Sequence, residues 1–202
     1  MQEKKRGRTH SRWLLPAALV LAGAAWFENF TLSTSTVTAA CAALPAAFSG
    51  LRIVQISDLH GRRFDAESRY LLELVRLQSP DLIALTGDLA DEFTDFSMLP
   101  PLLDGLTALA PTFYVTGNHE WVLSREKREA LFSMLDAAGV VRLQNEYRLL
   151  KKGQASIVLA GVDDPNGPYD QKRPAQLVRE IRQSRGRDAY ILMLSHRNDE
   201  LD

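Results

Sequence analysis

Cysteine is nearly missing from this 202-residue chain, which has only Cys41. A single thiol can form neither an intramolecular disulfide nor a cysteine-based zinc site, so a disulfide scaffold and a zinc finger are both excluded. Histidine is scarce at four residues, and net charge is close to absent at -1. The charge total hides an asymmetry. Lys4, Lys5, Arg6, Arg8 and Arg12 stand against Glu3 in the first twelve residues, a net of +4, which leaves -5 on the remaining 190. A body of that sign does not suit a polyanion, and no nucleic-acid partner is expected. With 46% apolar and 24% charged residues the chain has the composition of a globular domain rather than a disordered or fibrous one. Its chemistry has to come from His, Asp and Asn.

There is one long uncharged apolar run, residues 13–27 (WLLPAALVLAGAAWF). As a helix it spans roughly 22 Å against a hydrocarbon core of ~30 Å, and extension to Leu32 brings it near the required length. Trp13 and Trp26 are suitable interfacial aromatics. A cleaved signal peptide and a buried soluble helix are the competing readings. Trp26, Phe27, Glu28 and Asn29 occupy the place where a signal peptide has small residues for cleavage, which favours an uncleaved anchor. The basic tail before the run then keeps residues 1–12 cytoplasmic, residues 13–32 span, and the rest lies on the extracytoplasmic side of the membrane.

Residues 33–50 read as an uncharged linker with a short edge strand at the β-branched 34–37. From residue 51 the pattern becomes regular. Strands are expected at 51–56, 81–86 and 112–116, separated by helices at 67–77 and 96–109, with Pro100 and Pro101 in the first turn of the second. A third helix at 125–138 is capped by Gly139. Strands at 140–143, 147–150 and 157–162 follow, then a helix at 175–184 and a strand at 189–194. This alternation predicts an α/β fold built from right-handed crossovers.

Each strand of the alternating part is followed by a potential metal ligand: Asp58-Leu59-His60, Gly87-Asp88, Gly117-Asn118-His119-Glu120 and Ser195-His196. Asp58, Asp88 and Asn118 are 30 residues apart in turn, the length of one strand-helix-strand unit, so they return to the same sheet edge. Open α/β sheets place ligand sites at the carboxyl ends of their strands. Asp58 and His60, two apart in an extended segment, point the same way and can grip one ion together. Each block also has an ordinary use: Asp58 or Asp88 as a helix N-cap, Gly117-Asn118 as a turn, His196 as a partly exposed histidine. Independent caps and turns have no reason to fall on successive strand ends with three of the four histidines among them.

In this order the blocks resemble the calcineurin-like metallophosphoesterase superfamily, with its D-x-H, G-D, G-N-H-[ED] and following His, and the surrounding sequence is similar to its membrane-anchored bacterial branch. The resemblance runs from about Gly50 to the last residue. It implies an αββα sandwich and two divalent ions, with Asp58 and His60 on one, Asp88 bridging, and Asn118 and His196 on the other. His119 would contact phosphate and act as general acid. Carboxylate, imidazole and amide donors without thiolate suit Mn²⁺, Fe²⁺ or Zn²⁺. The implied activity is hydrolysis of a phosphomonoester, phosphodiester or pyrophosphate, on a small phosphorylated or lipid-linked substrate if the anchor holds the site near headgroups. A dinucleotide-binding protein is disfavoured, because no glycine-rich loop follows the first strand.

The superfamily's final G-H-x-H is not found in the six residues after His196. The expectation is therefore a sandwich without its C-terminal part, a ligand set reduced to five side chains, and, as the alternative function, a catalytically impaired fragment or metal-binding remnant. Asp163 and Asp164 are expected to shape the turn before Pro165 rather than replace the lost ligands.

Overall fold

The computed structural model describes residue 16 and residues 32–65, 67–168 and 171–197. The chain divides into two units, Met1–Val37 and Thr38–Asp202. The expected anchor, residues 13–32, lies almost wholly outside the described residues. Among the described residues no helix is long and apolar enough to cross a membrane. Residues 32–40 have no regular structure, so the strand expected at 34–37 is not formed. A β-branched run is stable as a strand only against a partner edge; here Val37 is exposed, and among the described residues no strand pairs with it.

Short apolar runs separated by helices form a first sheet. Strands β1 (Ile53–Ile56), β2 (Leu82–Thr86), β3 (Thr112–Val115) and β4 (Val141–Arg142) pair in parallel in that order. The registers include Ile53 with Leu82, Ile83 with Thr112 and Phe113 with Val141. Helix α1 (Arg69–Gln78) joins β1 to β2 and α2 (Leu99–Leu109) joins β2 to β3. Between β3 and β4 come a short α3 (Asn118–Val122) and α4 (Arg125–Ala137). Pro100 and Pro101 fall in the first turn of α2, where a missing N–H costs nothing. At α1 the Asp65 carboxylate does the capping. It accepts from the backbone N–H of Tyr70 at 2.6 Å, Arg69 at 2.9 Å and Glu67 at 3.0 Å.

The expected single run of crossovers stops at β4. A second sheet holds β5 (Glu146–Lys152), β6 (Ala155–Gly161) and β7 (Ile191–Leu194), with β5 antiparallel to β6 and β6 parallel to β7. The strands expected at 147–150 and 157–162 pair along 146–152 and 155–161, leaving a turn of two residues, Gly153 and Gln154. Helix α5 (Pro174–Arg185) makes the crossover to β7.

Between the sheets, Leu82, Ala84, Phe113, Val115, Leu143, Leu159 and Leu194 form one apolar cluster. The opposite face of the second sheet, with Val158, Ala160 and Val162, packs against Leu177 and Ile181 of α5. On the first sheet the alternate residues Ile83 and Leu85 are fully buried, as are Leu103 and Leu106 of α2 and Leu131 and Leu135 of α4. Each such side chain contributes roughly 1.5–3 kcal/mol of burial. The layering is the helix-sheet-sheet-helix order that the resemblance implies. His196 therefore follows a strand of the second sheet, not a fourth strand of the first.

Candidate metal centre

The loops after β1, β2 and β3 meet backbone to backbone. Asp58 N–H donates to the Gly87 carbonyl at 3.1 Å, His60 N–H to that of Asp88 at 2.9 Å, and Gly61 N–H to that of Leu89 at 2.8 Å. A Cβ on Gly87 would collide with the backbone nitrogen of Gly117, and a Cβ on Gly117 with Oδ1 of Asp88. Glycine at both positions is what allows the second and third loops to touch.

Asp58, His60 and Asp88 all have left-handed backbone, with φ of 57°, 47° and 53°. The extended segment expected around Asp58 and His60 is thus absent. Left-handed backbone costs a non-glycine residue about 1–2 kcal/mol, least for Asp and similar polar residues. Here the cross-loop hydrogen bonds hold it in place. The two side chains fall into different groups of candidate ligands, with Asp88 in both. Asp58 groups with Asp88 and His196, while His60 groups with Asp88 and His119; in each group one ligand atom per residue lies within 4.8 Å of the others. Asp88, 3% exposed, is common to both.

Around Asp88 the contacts are specific. Its Oδ1 accepts from the N–H of His119 at 2.9 Å. Its Oδ2 lies 3.5 Å from Nε2 of His196 and 3.7 Å from Nε2 of His60. Nδ1 of His60 lies 3.8 Å from Oδ2 of Asp91, and the His60 and His119 rings meet edge to face with centroids 4.5 Å apart. Nδ1 of His196 lies 2.8 Å from the Thr86 carbonyl and donates to it in the tautomer protonated there. In the neutral ring its Nε2 then offers only a lone pair. That atom faces Oδ1 of Asn118 at 3.2 Å as well as Oδ2 of Asp88. Three acceptors pointing at one another are mutually repulsive without a cation, and a backbone carbonyl on the far ring nitrogen is the usual outer partner of a metal-bound imidazole. The donor set of carboxylate, imidazole and amide oxygens therefore fits a borderline or hard divalent ion.

The six residues expected at the site, Asp58, His60, Asp88, Asn118, His119 and His196, all lie at this edge. Asn118 and His119 begin α3 rather than a turn. Sequence reading missed the outer residues. Glu120 is fully buried and its carboxylate accepts from the N–H groups of Gly117, Leu89 and Asp88. Burial pushes its carboxyl above the ordinary range, and the N–H donors of Asp88, Gly117 and Leu89 pull it back. The Tyr114 hydroxyl has no hydrogen-bond partner among the described residues. Burial first, then the charges of Glu120 and Asp163, push it well above its ordinary range.

A second brace links the sheets. Thr116 Oγ1 donates to Asp163 Oδ1 at 2.8 Å and accepts from Trp121 Nε1 at 3.0 Å and Asp164 N–H at 3.1 Å. Asp164 also accepts from Arg197 Nε at 2.6 Å. These aspartates do more than shape a turn, although Asp164 does accept from Asn166 N–H as a turn residue would.

Residues 51–200 match the family model described as calcineurin-like phosphoesterase. The chain is 33% identical over 117 residues to the uncharacterized metallophosphoesterase YkoQ of Bacillus subtilis, covering 56% of this chain and 43% of that one. It is 33% identical over 118 residues to the phosphodiesterase YaeI of Escherichia coli, with the same two coverages, 56% and 43%. A transmembrane protein with metallophosphoesterase domain from Danio rerio is 29% identical over 132 residues, 60% of this chain and 29% of the relative. The chain spans less than half the length of each of these relatives.

Proposed function

The chain belongs to the calcineurin-like phosphoesterase family, and from that premise we propose that it is a metal-dependent hydrolase of phosphoesters. The observation that carries this is the convergence of three possible ligand atoms, with His196 Nε2 at 3.2 Å from Asn118 Oδ1 and 3.5 Å from Asp88 Oδ2. Asp58, His60, Asp88, Asn118 and His196 would hold two divalent ions, with Asp88 shared. When bound, such ions neutralise phosphate oxygens and acidify a water.

The chain's own residues do the positioning. Asp88 is immobilised by the N–H of His119 on one oxygen, which leaves the other turned toward both imidazoles. The carbonyl of Thr86 fixes the ring of His196. His119 starts α3 with its ring against that of His60, half-buried beside the ligands, where a ring nitrogen can protonate a leaving oxygen. The apolar segment at 13–32, uncharged through residue 27, after a +4 tail supports a membrane-anchored reading with the site outside the cytoplasm, and a lipid-linked phosphodiester or pyrophosphate as substrate. The Danio rerio relative is itself a transmembrane protein by name, in keeping with an anchor.

The test uses the full chain stripped with chelator and reloaded with Mn²⁺, assayed on bis-p-nitrophenyl phosphate. Hydrolysis should depend on the added metal, and His119→Ala should lower kcat by roughly 10²–10⁴-fold with metal content unchanged. Hydrolysis indifferent to chelator would refute the proposal.

A further inference from the structure

Resting on the metal reading above, we infer that Glu120 is a positioning residue whose carboxylate sets the bridging ligand Asp88 by clamping the loops after β2 and β3. Glu120 is not itself a ligand. It is 0% exposed, and its two oxygens are taken by three backbone donors: Oε2 by Gly117 N–H at 2.7 Å and Asp88 N–H at 2.9 Å, Oε1 by Leu89 N–H at 2.8 Å.

The bland alternative is a helix cap. Glu120 is the third residue of α3, and acceptance from Gly117, just before the helix, is the reciprocal half of a capping box. A cap needs only that bond. The other two reach residues 32 and 31 positions away, and one of them is the N–H of the residue shared by both ligand groups. Asp88 also has to be held left-handed, at φ 53°. Such a conformation persists where the surroundings over-determine it. Its carbonyl accepts from His60, its Oδ1 from His119, and its N–H is taken by Glu120.

A carboxylate is the side chain this geometry requires. Three donors converge on two oxygens, so an amide would turn an NH₂ toward one of the N–H groups, and an apolar residue would strand three buried donors. Either change releases the two loops from each other and lets Oδ2 of Asp88 leave its place between His60 and His196.

The test is Mn²⁺ titration of the full chelator-stripped chain, with amide hydrogen exchange read at Asp88, Leu89 and Gly117. Glu120→Gln should weaken Mn²⁺ binding by about 10- to 100-fold, the range for partners that orient ligands, and speed exchange at those three amides. Glu120→Asp keeps the charge but falls one methylene short, and should lie between. Leu131→Ala, in the buried face of α4, serves as the control for lost stability: with a matching fall in melting temperature it should bind Mn²⁺ as the unaltered chain does. Should Glu120→Gln fail to fold, Glu120→Asp decides. Unaltered affinity in a folded Glu120 variant, or an equal loss in Leu131→Ala, overturns the inference and leaves the metal reading standing. Absence of Mn²⁺ binding by the unaltered chain overturns both.

Discussion

The first sheet and the second deliver ligands to one place by unlike means. After β1 and β2 the ligands sit on loops that hydrogen-bond to each other through the backbone, and after β3 they open α3, which closes on the second loop over two glycines and through the buried carboxylate of Glu120. After β7, His196 is held by one bond from its own ring to the Thr86 carbonyl, and by its neighbour Arg197 reaching Asp164 at the end of β6. The first half is set mainly by main-chain geometry, the second by side chains: His196 crosses to the first sheet, and Arg197 ties together the ends of β6 and β7. The first half should therefore lose metal through a change of charge. The second should tolerate loss of a side chain with its fold intact.

The largest effect belongs to Asp88→Asn. Only Asp88 is common to both ligand groups, so neutralising it removes charge facing two ions at once. Mn²⁺ affinity should fall by more than about 100-fold, beyond the range for outer partners, and by more than in Asp58→Asn. Equal losses in the two variants would remove the special status of Asp88, and with it the view that the first half is built around one shared carboxylate.

Next comes the second half. His196→Ala should lower Mn²⁺ affinity by about 10- to 100-fold with far-UV circular dichroism unchanged, since the ring bonds to the rest of the fold through one atom. Arg197→Ala should do less to binding but more to stability. Asp164 has a fully buried side chain, while that of Arg197 is about one-third exposed. Solvent screening discounts the pair, so the cost should be about 1–2 kcal/mol by denaturant titration rather than the ~3–5 kcal/mol of a wholly buried pair. A larger loss of metal in Arg197→Ala than in His196→Ala would mean that the whole arm is displaced.

These differences also explain what could be read from sequence. Asp58, Asp88 and Asn118 were legible because a strand-helix-strand unit has a fixed length and a parallel sheet returns each unit to the same edge. Their left-handed backbone was not legible, because it depends on carbonyls of Gly87 and Asp88 supplied by another loop. Glu120 had a local signal that went unused: glycine, two residues, then glutamate is the opening of a capped helix, and it favours α3 over the turn that Gly117-Asn118 would make in isolation. Asp163 and Asp164 had none beyond their turn. Their partners Thr116 and Arg197 lie 47 and 33 residues away and come together only because β5 turns back along β6 to start a second sheet. The β-branched run at 34–37 shows the converse, a local preference with no edge to satisfy it.

The smallest effect calibrates the rest, because it comes from a group outside both halves. Asp65 caps α1 with three backbone N–H bonds, the one from Tyr70 foremost, and these hold its carboxyl below the ordinary value of 3.8. A carboxyl lowered on folding adds stability that is complete above its unfolded value and fades as pH falls through the lower, folded one. Asp65→Ala should therefore lower the melting temperature by about 2–3 °C at pH 7, in line with loss of a helix cap in a domain of this size. Below pH 3.8 the gap between variant and unaltered chain should narrow. Mn²⁺ affinity should not change, since the bonds Asp65 accepts come from residues 67, 69 and 70, none of them a ligand. If the gap instead widened on acidification, the cap would not be acting through its ionised form. Were metal affinity to fall with the melting temperature, the losses expected in Asp88→Asn and His196→Ala could no longer be assigned to the ligands themselves, and the contrast between the two halves would reduce to one of stability.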